Sequence, residues 1–528
     1  MKVHRRKKSS TYNKKYKISA FENSDNLLLG HLVSSLQNLK HKLIKMKKLT
    51  VVSCLLACTL SFQNCARNPV TGKSQIVTMS EAQEIQMGKE ADPQIVAQFG
   101  LYQDRALQDF ISQRGKQMAA ISHRPNLNYE FKIVDSEVLN AFAVPGGYVY
   151  FTRGIMAHFN NEAQFMGVLG HELGHITARH SVAQQRNALL GQLGIIAGVV
   201  INPNLAQFAQ TASQGLGILF LKFGRDAERQ ADELGVEYSS KVGYDAKEMA
   251  DFFTTLERKG SGNPAAELPE FLSTHPNPGD RNVTVNKLAN DWKAKLNLSN
   301  PVINRNNYLQ RIEGLIYGED PRQGFLENNV FYHPELRFQF PVPQGWNYQN
   351  SPQRVQLAPK DGKALLMMML APGNNLQEAA NAVVQQNNLQ VLESKQLNVN
   401  GNPAIALVAD PKPQQGQQPQ PIRLLSYLIQ YGNAIYVFMG VSSQADFNQY
   451  IPYFTNTMEG FRVLTDQSKI NKQPERIRNK TVNSNITLDQ ALRNYGVPAN
   501  KLEEFAILNG MRLTDRITPG MMIKTVGY

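Results

Sequence analysis

Residues 170–180 read GHELGHITARH, and the organisation of the whole chain is best worked out from them. His171 and His175 are four residues apart. On an α-helix they lie about 40° apart and one turn up, so both imidazoles can face one ion. Glu172 follows the first histidine and reaches a water on that ion. This is the HExxH arrangement: zinc acidifies a water, and the carboxylate takes its proton and passes it to the leaving amine. By average residue usage the pattern arises by chance in roughly 1% of chains this long, so we read it as a metal site. The surrounding sequence is helical, with Asn161 as N-cap and Gln164 at the N3 position. On one continuous helix His180 would lie about 180° from His171 and about 140° from His175. It is therefore expected to support or pack and not to ligate.

A zinc hydrolase needs a third protein ligand and one open position. No histidine completes an extended HExxHxxGxxH pattern. The next acidic helix, RDAERQADELG (225–235), places Glu228 and Asp232 on one face. Glu228 would ligate, and Asp232 would hold a ligand histidine's free N–H. On spacing alone Asp226, Glu233 and Glu237 remain rivals.

The chain has 528 residues, enough for two to four domains. Its formal charge of +13 is concentrated: residues 1–48 hold 13 Lys or Arg against Glu22 and Asp25. The remainder is nearly neutral, so nucleic acid is not expected as a partner. Cys54, Cys58 and Cys65 are its three cysteines. None follows them, which excludes a disulfide framework or a cysteine-ligated zinc in the body. Lys47, Lys48 and the apolar run 49–62 read as a signal segment starting at Met46, with residues 1–45 expected to precede the true start. A cysteine closing that run suits lipidation, at Cys65 or Cys58. The uncharged run 188–201 and the apolar piece 215–221 fall short of a membrane span. They are expected to be buried helices, with a lid or partial membrane contact as the other readings.

Four stretches in order, NAFAVPGGYVYFTRGIM (140–156), HELGHITARH (171–180), RDAERQADELG (225–235) and STHPNPGDR (273–281), resemble the forty-eighth metallopeptidase family. That family includes HtpX-like heat-shock proteases and CAAX prenyl endopeptidases. The resemblance spans roughly residues 65–300. It implies a mainly α-helical gluzincin-type domain with a small sheet, one Zn2+ per chain, His171, His175 and Glu228 as ligands, and Glu172 as general base. It further implies that the strand holding Asn140, Ala141, Phe142 and Ala143 pairs with extended substrate. His275 and Arg281 would lie close to the metal, with His275 either a regulatory fourth ligand or an oxyanion stabiliser, and Arg281 either catalytic or a structural salt-bridge residue. CARNPVTGKSQ, from Cys65, is similar to the start of the family's periplasmic lipoprotein members, which favours Cys65 as the lipidated residue.

The remaining chain divides by texture. After a leader (1–64) and the metallopeptidase domain (65–300) comes a connector (301–325). Strand-like runs then dominate an α+β antiparallel-sheet domain (326–465), with one helix at 376–386 and a Pro/Gln-rich hairpin loop at 410–421. It faintly resembles PsbP/Mog-type domains. A polar linker (466–479) leads to a separate small module (480–528) that resembles a βααβ LysM module, implying contact with peptidoglycan or a packing role. The expectation is a lipid-anchored zinc endopeptidase of the periplasmic face of the outer membrane, acting on unfolded or misassembled envelope proteins. The alternative is a chaperone-like or peptidoglycan-tethered binding protein with minor proteolysis.

Overall fold

A computed structural model describes residues 65–76, 79–182, 195–196, 199–200, 205, 223–261, 270–275, 281–413 and 421–528. The leader, most of the apolar runs at 188–201 and 215–221, and residues 276–280 lie outside the described residues. The chain divides into two units, 1–66 with 74–76 and 67–73 with 77–528. Of the first, only strand residues are described; Cys65 opens the strand Cys65–Arg67. All that follows concerns the second.

Helices α1 (Glu81–Phe99) and α2 (Arg105–Ala119) precede a three-stranded sheet of β1 (Glu130–Val134), β2 (Ala141–Val144) and β3 (Tyr148–Thr152). Its order is β1-β3-β2, with β1 parallel and β2 antiparallel to β3. The short helix α3 (Arg153–His158) leads to α4 (Glu162–Thr177), which carries the HExxH residues. Every residue of α4 is buried, as expected of a helix apolar on nearly all sides. Asn161 caps it by accepting from the Gln164 N–H at 2.9 Å. The Gln164 side chain accepts from Asn160 N and not from Asn161, so the reciprocal half of the box sits one residue early. Glu162, buried in the first turn, accepts from Arg114 at 2.5 Å and Tyr244 at 2.6 Å.

The domain continues with α5 (Arg225–Lys241), α6 (Glu248–Ser261), α7 (Glu270–Thr274), α8 (Arg281–Lys295) and α9 (Arg305–Arg311). Glycines let α4 and α5 approach almost backbone to backbone. A Cβ on Gly170 would sit 2.9 Å from the Gly235 carbonyl oxygen, and one on Gly235 would sit 3.0 Å from the His171 nitrogen. Beneath α4, Phe110, Phe151, Phe159, Phe165 and Tyr308 form an aromatic core.

The following domain is built on two antiparallel sheets. β4 (Phe325–Glu327), β5 (Val330–His333), β6 (Phe338–Pro341) and the late β14 (Arg462–Val463) make the smaller one. The larger has seven strands: β7 (Asn347–Ser351), β8 (Arg354–Ala358), β9 (Ala364–Leu370), β10 (Leu389–Val399), β11 (Asn402–Pro411), β12 (Ile422–Tyr431) and β13 (Ala434–Ser443). Their order is β7-β8-β9-β13-β12-β11-β10. Alternate residues of these strands enter two separate cores, one including α10 (Leu376–Gln386) and the other α11 (Phe447–Glu459). β11 and β12 form the hairpin expected around the Pro/Gln-rich loop; residues 414–420 of that loop are outside the described set.

The stretch read as a linker is structured. It holds α12 (Gln467–Ile470) and the start of β15 (Arg476–Thr481). β15 pairs with β18 (Met522–Gly527), and β16 (Ile486–Thr487) pairs with β17 (Arg516–Ile517), around α13 (Leu488–Asn494) and α14 (Leu502–Leu508). Nor does this C-terminal piece stand apart, as the sequence led us to expect. Ile477 and Leu508 enter the core packed around α4. Lys524, fully buried, donates to the carbonyls of Ala157 (2.7 Å) and Phe159 (3.0 Å), just ahead of α4. Two accepting carbonyls at a helix C-terminus offset the cost of burying an ammonium group, and nothing local in the sequence signals them.

The glycine contact yields a direct test. Gly170→Val forces α4 and α5 apart and should lower unfolding free energy by about 1–3 kcal/mol or more, read as a lower urea midpoint. A wild-type midpoint would contradict the close packing.

Candidate metal centre

The approach of α4 and α5 sets the site. His171 and His175 project from α4 and Glu228 from the first turn of α5. His275 follows α7, whose Phe271 N–H is bonded to Leu139 O beside β2. One donor atom from each of these four residues lies within 4.8 Å of the others, and all four are buried. His171 Nε2 is 3.1 Å from His175 Nε2 and 3.6 Å from Glu228 Oε2. Glu228 Oε1 is 3.5 Å from His175 Nε2 and 3.1 Å from His275 Nδ1.

The donor set fits zinc. Two or three imidazoles and a carboxylate are its usual nitrogen and oxygen ligands. Glu228 Oε2 and both Glu172 oxygens are buried with no hydrogen-bond partner. Buried carboxylate oxygens left this way are costly unless a cation or a water meets them. Of the acids open on spacing, Glu228 joins the histidines. Asp226 pairs with Arg229 and Glu237 with Lys241, while Glu233 is exposed.

The supports behind the cluster are well defined. Asp232 Oδ1 meets His171 Nδ1 at 2.9 Å. Arg281 donates to the same oxygen from Nη2 (2.7 Å) and Nε (3.1 Å), and its guanidinium lies 3.7 Å from the centre of the Phe253 ring. Arg281 also reaches Glu228 at 3.5 Å. It thus buttresses the acids, which is the placement of a positioning group.

His180 has the supporting place expected of it, but the helix does not continue to it. α4 ends at Thr177, and Arg179 takes a left-handed backbone with φ 60°. The Arg179 side chain is held by Glu84 Oε2 at 3.0 Å and Met79 O at 2.9 Å. The chain therefore folds back instead of continuing round the helix. His180 Nδ1 comes to 3.0 Å from His175 Nδ1, with its own Nε2 2.9 Å from Gln230 Oε1. It supports a ligand histidine by direct contact and does not join the cluster, as expected. The sequence also gave no notice of Phe223, whose ring stacks on His175 at 4.0 Å, or of Phe253. Phe271, stacked on His275 at 4.5 Å, is four residues before it and could have been noticed.

Burial shapes the charges. It holds the His171 and His175 imidazoles well below their ordinary range, which keeps them neutral and able to ligate. Burial also pushes the Glu172 carboxyl up to about 7. Glu228 would be pushed up in the same way, but His275, His171 and Arg281 bring it below the usual value. Burial lowers His275, and Glu228 and Glu172 more than reverse that.

Among the described residues, β2 has no strand on its outer edge. Asn140, Ala141, Phe142 and Ala143 are all buried, and Asn140 Oδ1 has no partner.

Residues 105–289, which contain all of these groups except Met79 and Glu84, match the model described as Peptidase family M48. The beta-barrel assembly-enhancing protease of Escherichia coli (strain K12) is 29% identical over 263 residues, 47% of this chain and 54% of that protein. Its namesake from Yersinia pestis is 28% identical over 265 residues, covering 48% and 52%. The mitochondrial metalloendopeptidase OMA1 of Arabidopsis thaliana is 29% identical over 161 residues, covering 30% and 32%. The chain spans about half the length of the assembly-enhancing relatives it matches. Among solved structures, cyanobacterial PsbP from Synechocystis is 10% identical with a TM-score of 0.21, covering 25% of this chain and 91% of that one.

The elevated Glu172 carboxyl predicts a pH effect on the metal-free protein. The folded state holds this proton more tightly than the unfolded chain, whose value is near 4.5. Its contribution to stability is complete below about pH 4.5 and is lost as pH rises through about 7. Glu172→Gln cannot ionise, so its urea midpoint should exceed wild type at pH 8, with the difference shrinking towards pH 5. A pH-independent difference would contradict the shift.

Proposed function

We propose that this chain, whose residues 105–289 carry a metallopeptidase domain of the M48 type, is a zinc-dependent endopeptidase of the bacterial envelope. Its substrates would be unfolded or misassembled periplasmic and outer-membrane proteins. The observation that carries the reading is Glu172: a buried carboxylate with two unpartnered oxygens, one of them 3.7 Å from His275 Nε2, beside the His171–His175–Glu228 donors. The names of the bacterial relatives support the envelope and its β-barrel proteins as the setting.

Zinc held by His171, His175 and Glu228 would polarise the scissile carbonyl and acidify a water. Glu172 takes the water's proton on a carboxylate oxygen and returns it to the leaving amine nitrogen. Asp232, tied down by Arg281, keeps the His171 proton on Nδ1 so that Nε2 faces the site. The outer edge of β2, at Asn140, Ala141, Phe142 and Ala143, would receive the substrate as an added strand. Such pairing requires an extended, unpaired segment, which a folded protein withholds and a misassembled one exposes.

Lipid attachment at Cys65 would hold the enzyme at the outer membrane, and the C-terminal module would add contact with peptidoglycan. No helix among the described residues is long and apolar enough to cross a membrane. The position of His275 among the ligands favours a second reading, a latent or chiefly substrate-gripping state with His275 in the place of the water.

Glu172→Gln should slow casein cleavage by about 10²–10⁴-fold while keeping its zinc; unchanged cleavage would overturn the mechanism. A Glu172→Gln gene that fully rescues a deletion strain would favour the binding role. If His275 closes the site, His275→Ala cleaves faster than wild type. Slower cleavage assigns His275 to the oxyanion instead.

A further inference from the structure

We propose that Gln230 and His180 are positioning residues that fix the proton of His175 on Nδ1 and so leave its Nε2 lone pair for the metal. The inference rests on the metal-site reading above and concerns groups that do not touch the metal. A neutral imidazole carries one N–H and one acceptor nitrogen. His175 and His180 face each other through their Nδ1 atoms, 3.0 Å apart, so a hydrogen bond between them uses one proton. Two arrangements satisfy that contact. In the first, His175 Nδ1–H donates to His180 Nδ1, and the His180 proton is on Nε2. In the second, His180 Nδ1–H donates, and the His175 proton must move to Nε2, towards His171 and Glu228. Only the first leaves His175 able to ligate.

Gln230 chooses between them. Its Oε1 lies 2.9 Å from His180 Nε2 and accepts from it, which requires the proton there and selects the first arrangement. His171 is controlled in the same way by Asp232, an obligate acceptor at 2.9 Å from Nδ1. The two ligand histidines thus have supports of different kinds: a carboxylate for one, and an amide acting through a second imidazole for the other. Gln230 lies on α5 between Glu228 and Asp232, so one helix delivers a ligand and both acceptors. The turn at Arg179, pinned to Glu84 on α1, delivers His180 between them.

The test measures zinc affinity of the full-length protein by competition with a chelator of known affinity. Gln230→Met removes the acceptor and should weaken binding, by about 10-fold or more within the range for such partners. Gln230→Glu puts a carboxylate, which only accepts, in place of the amide and should restore wild-type affinity or exceed it. In a His180→Leu background the Met and Glu variants should bind equally, because a charge acting directly on zinc would still separate them there. Thermal midpoints of the metal-free Gln230 variants should match wild type, which a merely structural role would not allow. Wild-type affinity in Gln230→Met overturns the inference, as does a Glu advantage that survives in His180→Leu. The single Met and Glu variants decide the matter even if His180→Leu does not fold. A wild-type protein that binds no zinc overturns the metal site as well; one that binds zinc beside indifferent variants overturns the relay alone.

Discussion

The site depends on two helices meeting where their facing residues are glycine or alanine. Gly170 on α4 faces Gly235 on α5, and Gly174 faces Ala231, each at distances that leave no room for a larger group to pass. That approach brings Glu228 to within 3.6 Å of His171 Nε2, and Asp232 to the far nitrogen of the same ring. The histidines are spaced by the α-helix, and the distance to the carboxylates is set by the glycines. Gly also costs helix stability, roughly 1 kcal/mol each relative to Ala, so these positions trade local propensity for a short interaxial distance.

Around that contact the site is buried and electrostatically divided. Four groups that would each prefer water are buried together, and their protonation preferences differ. The histidines of α4 are held neutral, His275 is drawn towards its charged form, and Glu172 is pushed towards its neutral one. A divalent cation resolves most of this tension. It meets the Glu228 oxygen that has no hydrogen-bond partner, uses the lone pairs of neutral imidazoles, and favours an ionised Glu172 nearby. Phe223, Phe253 and Phe271 exclude water from the sides and keep these interactions strong.

The part of the site generated by one helical repeat was legible in the sequence. His171, Glu172 and His175 follow from a spacing of four, and Glu228 with Asp232 from another. What joins the two helices is not periodic, so spacing left Asp226, Glu233 and Glu237 open until the family resemblance and then the fold separated them. The supporting role of His180 was legible, but the path that brings it to His175 was not. The angular argument assumed that the helix continues, and the residue that stops it, Arg179, is held by Glu84 from a helix some ninety residues earlier. The alternating runs after residue 326 announced a sheet domain with its single early helix at 376–386, because strand and helix periods are local. The docking of the C-terminal piece was invisible, since Lys524 has the appearance of a surface lysine until the carbonyls of Ala157 and Phe159 come to meet it.

The central claim is that α5 supplies the third ligand to a zinc ion held by α4. Elemental analysis of the purified, exhaustively dialysed protein, wild type against Glu228→Ala, tests it most directly. The account predicts one zinc per chain in the wild type and a large loss in the variant. A Glu228→Ala protein that retains a full equivalent of zinc would contradict it.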